Sequence, residues 1–272
     1  MQNSIRKTFI VAFLLCLVCS VLVSTAAVVL QPQQKKNKER DKQFNILVAA
    51  GLVQPDEMVS DTRIQQLFSR ITPKIVELAT GVFTDEISAD RFDQYKAAKD
   101  PQRSTALSQE EDLAGIGRKS LYARIYLLLN EAGQLQKLIL PVHGYGLWST
   151  LYGFIALEPD FNTIAGLGFY QHAETPGLGG EVDNPAWKAQ WPGKKIYANG
   201  QPEIELVKQK SDNPQAAVYQ VDALSGATLT SRGVTNLLHF WLGESGFLPL
   251  IHRLSTTARQ NAADTSTAPD QA

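Results

Sequence analysis

Cysteine is nearly absent: of 272 residues only Cys16 and Cys19 carry a thiol, and both lie in the N-terminal apolar run. Structural disulfides and thiolate-bound zinc or iron–sulfur centres are thereby excluded from everything after residue 19, and no metal site is expected there. A redox role for that part needs an organic cofactor. A surplus of one charge is missing as well. The net charge is −1, and no basic stripe interleaves with aromatics, which removes the nucleic-acid-binding classes. There is no dinucleotide-binding glycine fingerprint and no internal repeat.

What stands out first is residues 9–30, FIVAFLLCLVCSVLVSTAAVVL, a stretch without a single charge. At about 1.5 Å per residue such a helix reaches roughly 33 Å, enough to cross a bilayer core of ~30 Å. It runs past the small residues Ser24–Ala27 into Val28, Val29 and Leu30, longer than the core of a cleaved signal, and it reads as an uncleaved anchor. Cys16 and Cys19 share one helix face as small, apolar-tolerant residues of a membrane span. Arg6 and Lys7 flank one end; Lys35, Lys36, Lys38, Arg40 and Lys42 flank the other. By charge alone the large domain stays in the cytoplasm, although long domains cross membranes regardless.

The remainder predicts an α+β domain with a mixed or antiparallel sheet and helices packed on it. The first helix continues to the neighbourhood of Gly51. Ile64, Leu67, Phe68 and Ile71 mark an amphipathic helix over 61–71. Residues 84–119 are polar and read as a solvated connection. Strands are expected at 121–129 and 135–142 around the turn at Asn130–Gly133, and at 152–157 and 163–170 around Pro159. A short helix over 185–191 and strands at 204–208 and 217–221 follow. Val234, Leu237, Leu238, Trp241 and Leu242 form one face of a helix closed by Gly243. The divisions are residues 1–8 as a flank, 9–30 as the transmembrane helix, 31–119 as a helical and polar connection, 120–255 as the ligand-binding domain, and 256–272 as a disordered tail.

Three loops concentrate the chemistry. Asp222-Ala223-Leu224-Ser225-Gly226-Ala227-Thr228 joins a strand to a helix, with Gly226 for a tight turn and Ala227 leaving the Thr228 hydroxyl clear. Thr230, Ser231 and Arg232 then supply hydroxyls, a helix N-cap and a cation, a setting that favours a phosphate. The same pattern also suits an ordinary turn capping a helix. The two upstream loops are His143-Gly144-Tyr145-Gly146-Leu147-Trp148-Ser149 and His172-Ala173-Glu174-Thr175-Pro176-Gly177-Leu178-Gly179-Gly180. Both are rich in glycine and carry apolar or aromatic side chains, a composition that can clasp a flat ring system.

Asp222 with Ser225-Gly226-Ala227-Thr228 resembles the flavinylation motif of FMN-binding domains. With HGYGLWS at 143–149 and ETPGLGGEV at 174–182, the chain up to about Leu250 resembles the C subunits of sodium-translocating NADH:quinone reductases. The related G subunit of the Rnf electron-transport complex shares ETPGLG and SGAT, but is not expected to show His143 and Leu147-Trp148 in this form. The resemblance implies covalent FMN on Thr228 through a phosphoester, installed by a separate flavin transferase with FAD as donor. It implies an electron-relaying subunit that does not bind NADH itself, within a membrane complex coupling NADH oxidation and quinone reduction to sodium export. Its partners would include iron–sulfur-bearing subunits and a second FMN-bearing subunit. It also implies a single-pass inner-membrane protein whose domain is periplasmic, against the lysine count. Asp222, Ser225, Gly226, Ala227, His143, Gly144, Tyr145, Gly146, Leu147, Trp148, His172, Glu174, Thr175, Pro176, Gly177, Leu178 and Gly179 are the expected surroundings of the cofactor, with Asp222 as turn former. The alternatives are an Rnf-type electron-transport subunit with the same covalent FMN, and a non-redox anchored ligand-binding module with Thr228 unmodified.

Overall fold

The computed structural model describes residues 2–266 and divides into two units, Met1–Lys42 and Gln43–Ala272. Helix α1 runs over Gln2–Ala49. It contains the one candidate membrane span among the described residues, Ile5–Ala49, with mean hydropathy 2.7 in its most apolar window.

In the second unit α1 ends at Ala49, and Gly51 in the turn that follows has a φ of +71°, which a helix cannot continue through. Helix α2 (Asp61–Phe68) is capped by Ser60, which accepts the Arg63 amide. It ends earlier than the apolar spacing suggested. Ile71 opens a strand instead, β1 (Ile71–Glu77), followed by β2 (Phe83–Thr84). Next come α3 (Gln94–Lys99), β3 (Ser104–Ala106), β4 (Arg118–Ser120), β5 (Tyr122–Leu129), β6 (Leu135–Tyr145), β7 (Thr150–Leu157) and β8 (Ile164–Gln171). After a 3-10 turn at Gly179–Asp183 and α4 (Pro185–Lys188) come β9 (Tyr197–Ala198), β10 (Gln201–Pro202), β11 (Glu205–Val207), α5 (Pro214–Ala217) and β12 (Gln220–Asp222). Helices α6 (Thr228–Leu242) and α7 (Leu248–Ser266) complete the unit.

The central sheet is antiparallel throughout, in the order β2-β1-β5-β6-β7-β8. Side chains alternate between its faces, as a strand period of two requires. Leu138, Leu140 and Val142 of β6 meet Val234, Leu237 and Leu238 of α6 on one side. Ile139 and Phe154 meet Ile46 and Leu47 of α1 and Ile64 of α2 on the other. The parallel pair β11–β12 lies apart from this sheet and delivers the chain to the start of α6.

Two expectations change here. The stretch 31–119, expected as a helical and polar connection, also supplies a sheet strand and buried side chains. All seven residues of β1 pair with β5, and Phe92, Ala97 and Ala114 are buried. Pro73 is tolerated because β2 reaches only Ile75 and Val76, leaving the rest of β1 an edge. The tail expected to be disordered from 256 is helical to Ser266. Its hydroxyls bond back into the helix, Thr256 to the carbonyl of His252 and Thr257 to that of Arg253. Residues 267–272 lie outside the described residues.

Candidate functional site

The three loops converge at the end of β6 and the start of α6. Leu178 reaches the turn before the helix: a Cβ built on Gly226 would stand 2.9 Å from Leu178 Cδ2. Gly226 itself has φ +71°, a conformation that suits glycine. Ser231 latches the same turn, accepting the Leu224 amide at 2.9 Å and donating to the Ala227 carbonyl at 3.0 Å. The Thr175–Leu178 segment is a tight turn closed by Leu178 N–H on the Thr175 carbonyl at 3.1 Å. Pro176 and Gly177 (φ +74°) fill its middle, as a type II turn demands.

Thr228 is the first residue of α6, exposed, and preceded by Ala227 as N-cap with no side-chain cap. The N-cap expected from Thr230 or Ser231 is therefore absent, because the helix begins two to three residues earlier. Among intrahelical bonds the ladder starts with Ser231 N–H on the Ala227 carbonyl, so the amides of the first turn stay available to an anion. Thr228 borders a cleft of about 640 Å³ whose walls include Glu205, Lys208, Ser225, Gly226, Arg232 and Thr235. Lys208 and Arg232 have no ion-pair partner among the described residues, in contrast to Lys210, which meets Asp222 at 3.0 Å. An uncapped helix start, a free hydroxyl and two uncommitted cations fit a phosphate carried on Thr228.

Beside this cleft the loops present apolar surface. Trp148 is 66% exposed, Leu178 44% and Leu229 51%, with Tyr145 and Leu147 also exposed. Large apolar side chains left open on adjoining loops are what a flat aromatic ligand needs.

Other expected contacts lie elsewhere. Asp222 does not shape the turn with its carboxylate, which pairs with Lys210. Its amide meets Gln190 and its carbonyl accepts the Trp187 indole N–H at 2.9 Å. The His143 ring is 6% exposed, stacked on Tyr152 at 5.7 Å between centroids and edged by Tyr95. Burial drives its pKa down to about 3, so the ring is neutral where it packs among these aromatics. His172 accepts the Glu174 amide on Nδ1 at 3.2 Å and meets Asp183 through Nε2 at 2.8 Å, which holds its loop. The room at Gly144, Gly146 and Gly179 is taken by protein: Leu237 at the first, Leu151 and Glu174 at the second, Thr230 and Glu174 at the third. Glu174 is 5% exposed. Its Oε1 accepts the amides of Leu147 (3.2 Å), Trp148 (3.0 Å) and Ser149 (3.1 Å), and its Oε2 accepts the Thr230 hydroxyl at 2.7 Å. Sequence reasoning passed over Lys208, Glu205 and Thr235, which β11 and α6 bring to the cleft from positions with no motif of their own. Thr230 and Ser231 were visible only as hydroxyls near a helix start.

Sheet, helix and loops have the make-up of an FMN-binding domain, on a chain whose described residues include one helix long and apolar enough to cross a membrane. The family model for the FMN-binding domain matches residues 146–243. Over 249 residues the chain is 54% identical to the C subunit of the Na(+)-translocating NADH-quinone reductase of Pseudomonas aeruginosa, covering 90% of this chain and 94% of that one. It is 46% identical to the corresponding protein of Yersinia pestis over 262 residues, 96% and 97% of the two chains. The crystal structure of Shewanella oneidensis NqrC superimposes with a TM-score of 0.72 at 34% identity, covering 81% of this chain and 99% of that one. The chain belongs to the family of C subunits of the Na(+)-translocating NADH-quinone reductase. It is by that membership an FMN-binding redox subunit of a membrane complex.

Proposed function

We propose that Thr228 carries FMN as a phosphoester and that the protein relays electrons between neighbouring subunits of a sodium-exporting NADH:quinone reductase. The observation that carries this reading is Thr228 itself, an exposed hydroxyl on the first residue of an uncapped helix, bordering a cleft with Lys208 and Arg232. In the attachment step the Thr228 oxygen bonds to the phosphorus on the riboflavin side of FAD. The bond to the bridging oxygen breaks, AMP leaves, and the hydroxyl proton passes to a base of the transferase. Neither histidine of the loops is placed to take that proton, since His143 is buried and His172 is held by Asp183 and the Glu174 amide.

Lys208, Arg232 and the first amides of α6 would offset the charge of the phosphodiester, while Leu147, Trp148, Leu178 and Leu229 would wall the ring system and limit water. FMN supplies the one-electron chemistry; the chain fixes its place. The tethered domain lies on the periplasmic side in this reading, where a secreted transferase would meet it. Its partners are the iron–sulfur-bearing and second FMN-bearing subunits implied by the resemblance. The test is mass spectrometry of the Thr228 peptide from native membranes, which should show the mass of FMN less water. In-gel flavin fluorescence should vanish in Thr228→Ala. An unmodified peptide in cells that hold the transferase would sink the proposal.

A further inference from the structure

We infer that Glu174 is a positioning residue that couples the Leu147–Trp148 wall to the first turn of α6, and so sets where that wall stands relative to Thr228. The inference rests on Thr228 being the attachment point. Glu174 is not a ligand contact, because its carboxylate is buried and both oxygens are engaged by protein donors. Three successive amides, those of Leu147, Trp148 and Ser149, turn inward to one carboxylate oxygen. Such a row of N–H groups is an anion-binding concavity, and here the anion is part of the chain.

The other oxygen takes the hydroxyl of Thr230, two residues beyond Thr228. One charged group therefore ties a loop following β6 to the helix that bears the attachment hydroxyl. The fit around it is close. A Cβ on Gly146 would stand 2.6 Å from Leu151 Cδ1 and 2.8 Å from Glu174 Oε1, and one on Gly179 2.6 Å from the Thr230 hydroxyl and 2.8 Å from Glu174 Oε2, so a side chain at either position would press on the clamp. Burial works against the charge, but the Thr230 hydroxyl and the amides of Trp148, Ser149 and Leu147 outweigh it, and the carboxyl lies below its ordinary value. An ionised clamp of this kind has hydrogen bonds of the stronger, charge-assisted sort.

Thr230→Val separates coupling from mere loop support. It cuts the helix side of the clamp and leaves the three amides with their acceptor. The full chain is purified from cells that supply the flavin transferase, as wild type, Thr230→Val, Thr230→Ser and Glu174→Gln. Thr230→Val and Glu174→Gln should carry flavin on Thr228 to the wild-type extent, yet lose most of the visible circular dichroism that a fixed asymmetric wall induces in the flavin. Their midpoint potentials should move toward that of free FMN. Thr230→Ser should retain both properties. Amide exchange at Leu147, Trp148 and Ser149 should rise roughly tenfold in Thr230→Val, as befits loss of one hydrogen bond to a charged group. Wild-type dichroism, potential and exchange in Thr230→Val would overturn the inference, and that variant decides alone if Glu174→Gln does not fold. A wild-type chain with no flavin on Thr228 would refute the attachment instead; the exchange measurement would still judge the coupling.

Discussion

Gly233 of α6 lies directly against the carbonyl of Tyr145 at the end of β6: a Cβ at 233 would stand 2.4 Å from that oxygen and 3.0 Å from the Gly146 Cα. Both obstacles are backbone, so neither can swing aside. This contact lets the first half of α6 sit close enough to the loop after β6 for Thr230 to reach Glu174. Gly233→Ala should therefore cost about 1–3 kcal/mol, the usual penalty of overpacking a close contact. A lowered unfolding temperature of the full chain in detergent, with weakened dichroism of the attached flavin, is the expected result.

His143 makes stability depend on pH in a defined direction. Its folded pKa of about 3 lies below the ordinary 6.5, so the folded ring refuses a proton that the unfolded chain accepts. Stability from this group is fully present above 6.5 and is lost progressively as the pH falls toward 3. At pH 5 the loss is on the order of 2 kcal/mol. His143→Phe keeps an aromatic ring against Tyr152 and removes a buried Nδ1 that has no partner. Urea unfolding at pH 7 and pH 5 should show a smaller acid loss in His143→Phe than in wild type, with flavin attachment unchanged.

Lys208 and Arg232 should matter to attachment and hardly at all to folding. Both are solvent-facing walls of the Thr228 cleft, and Arg232 follows Thr228 by one helical turn. Lys208→Glu or Arg232→Glu should slow transfer of flavin to Thr228 roughly fivefold, a size in keeping with exposed charge contacts. The effect should shrink as salt is raised, because exposed charges are screened. The unfolding temperature should move little. Transfer rates equal to wild type at low salt would remove these two residues from the site.

How far the sequence carried depends on where each signal lies along the chain. The face made by Val234, Leu237, Leu238, Trp241 and Leu242 was legible because one helix pattern sufficed, and all five are buried. The hairpin at Asn130–Gly133 was legible because its turn chemistry is local, with Gly133 at φ +77°. Strand β1 was hidden: it holds Pro73 and Lys74, and its partner β5 lies some fifty residues on. The burial of Phe92 and Ala97 was masked by polar neighbours that face water. Within the site, the turn before Thr228 was legible as a local motif, whereas the burial of Glu174 among donors from another loop and from α6 was not. Spacing along a chain reveals turns and helix faces. It does not reveal which buried carboxylate meets which backbone amides.

Gly226 gives the sharpest test of the turn that presents Thr228. Its φ of +71° costs an L residue about 1–2 kcal/mol, and an added methyl would also meet Leu178 Cδ2 at 2.9 Å. That second obstacle is the end of a flexible side chain, so it can yield by swinging outward. Gly226→Ala should thus leave the global fold nearly intact, since the turn is exposed and the core lies beneath α6. The turn itself should relax toward negative φ, moving the Thr228 hydroxyl and pushing Leu178 off its place. Gly226→Asn should recover part of the loss, because asparagine enters the left-handed region more readily. The expected order of flavin attachment is wild type, then Gly226→Asn, then Gly226→Ala, at nearly equal unfolding temperatures. Full attachment in Gly226→Ala would mean that the left-handed turn is a folding convenience, and that the transferase accepts Thr228 in more than one local geometry.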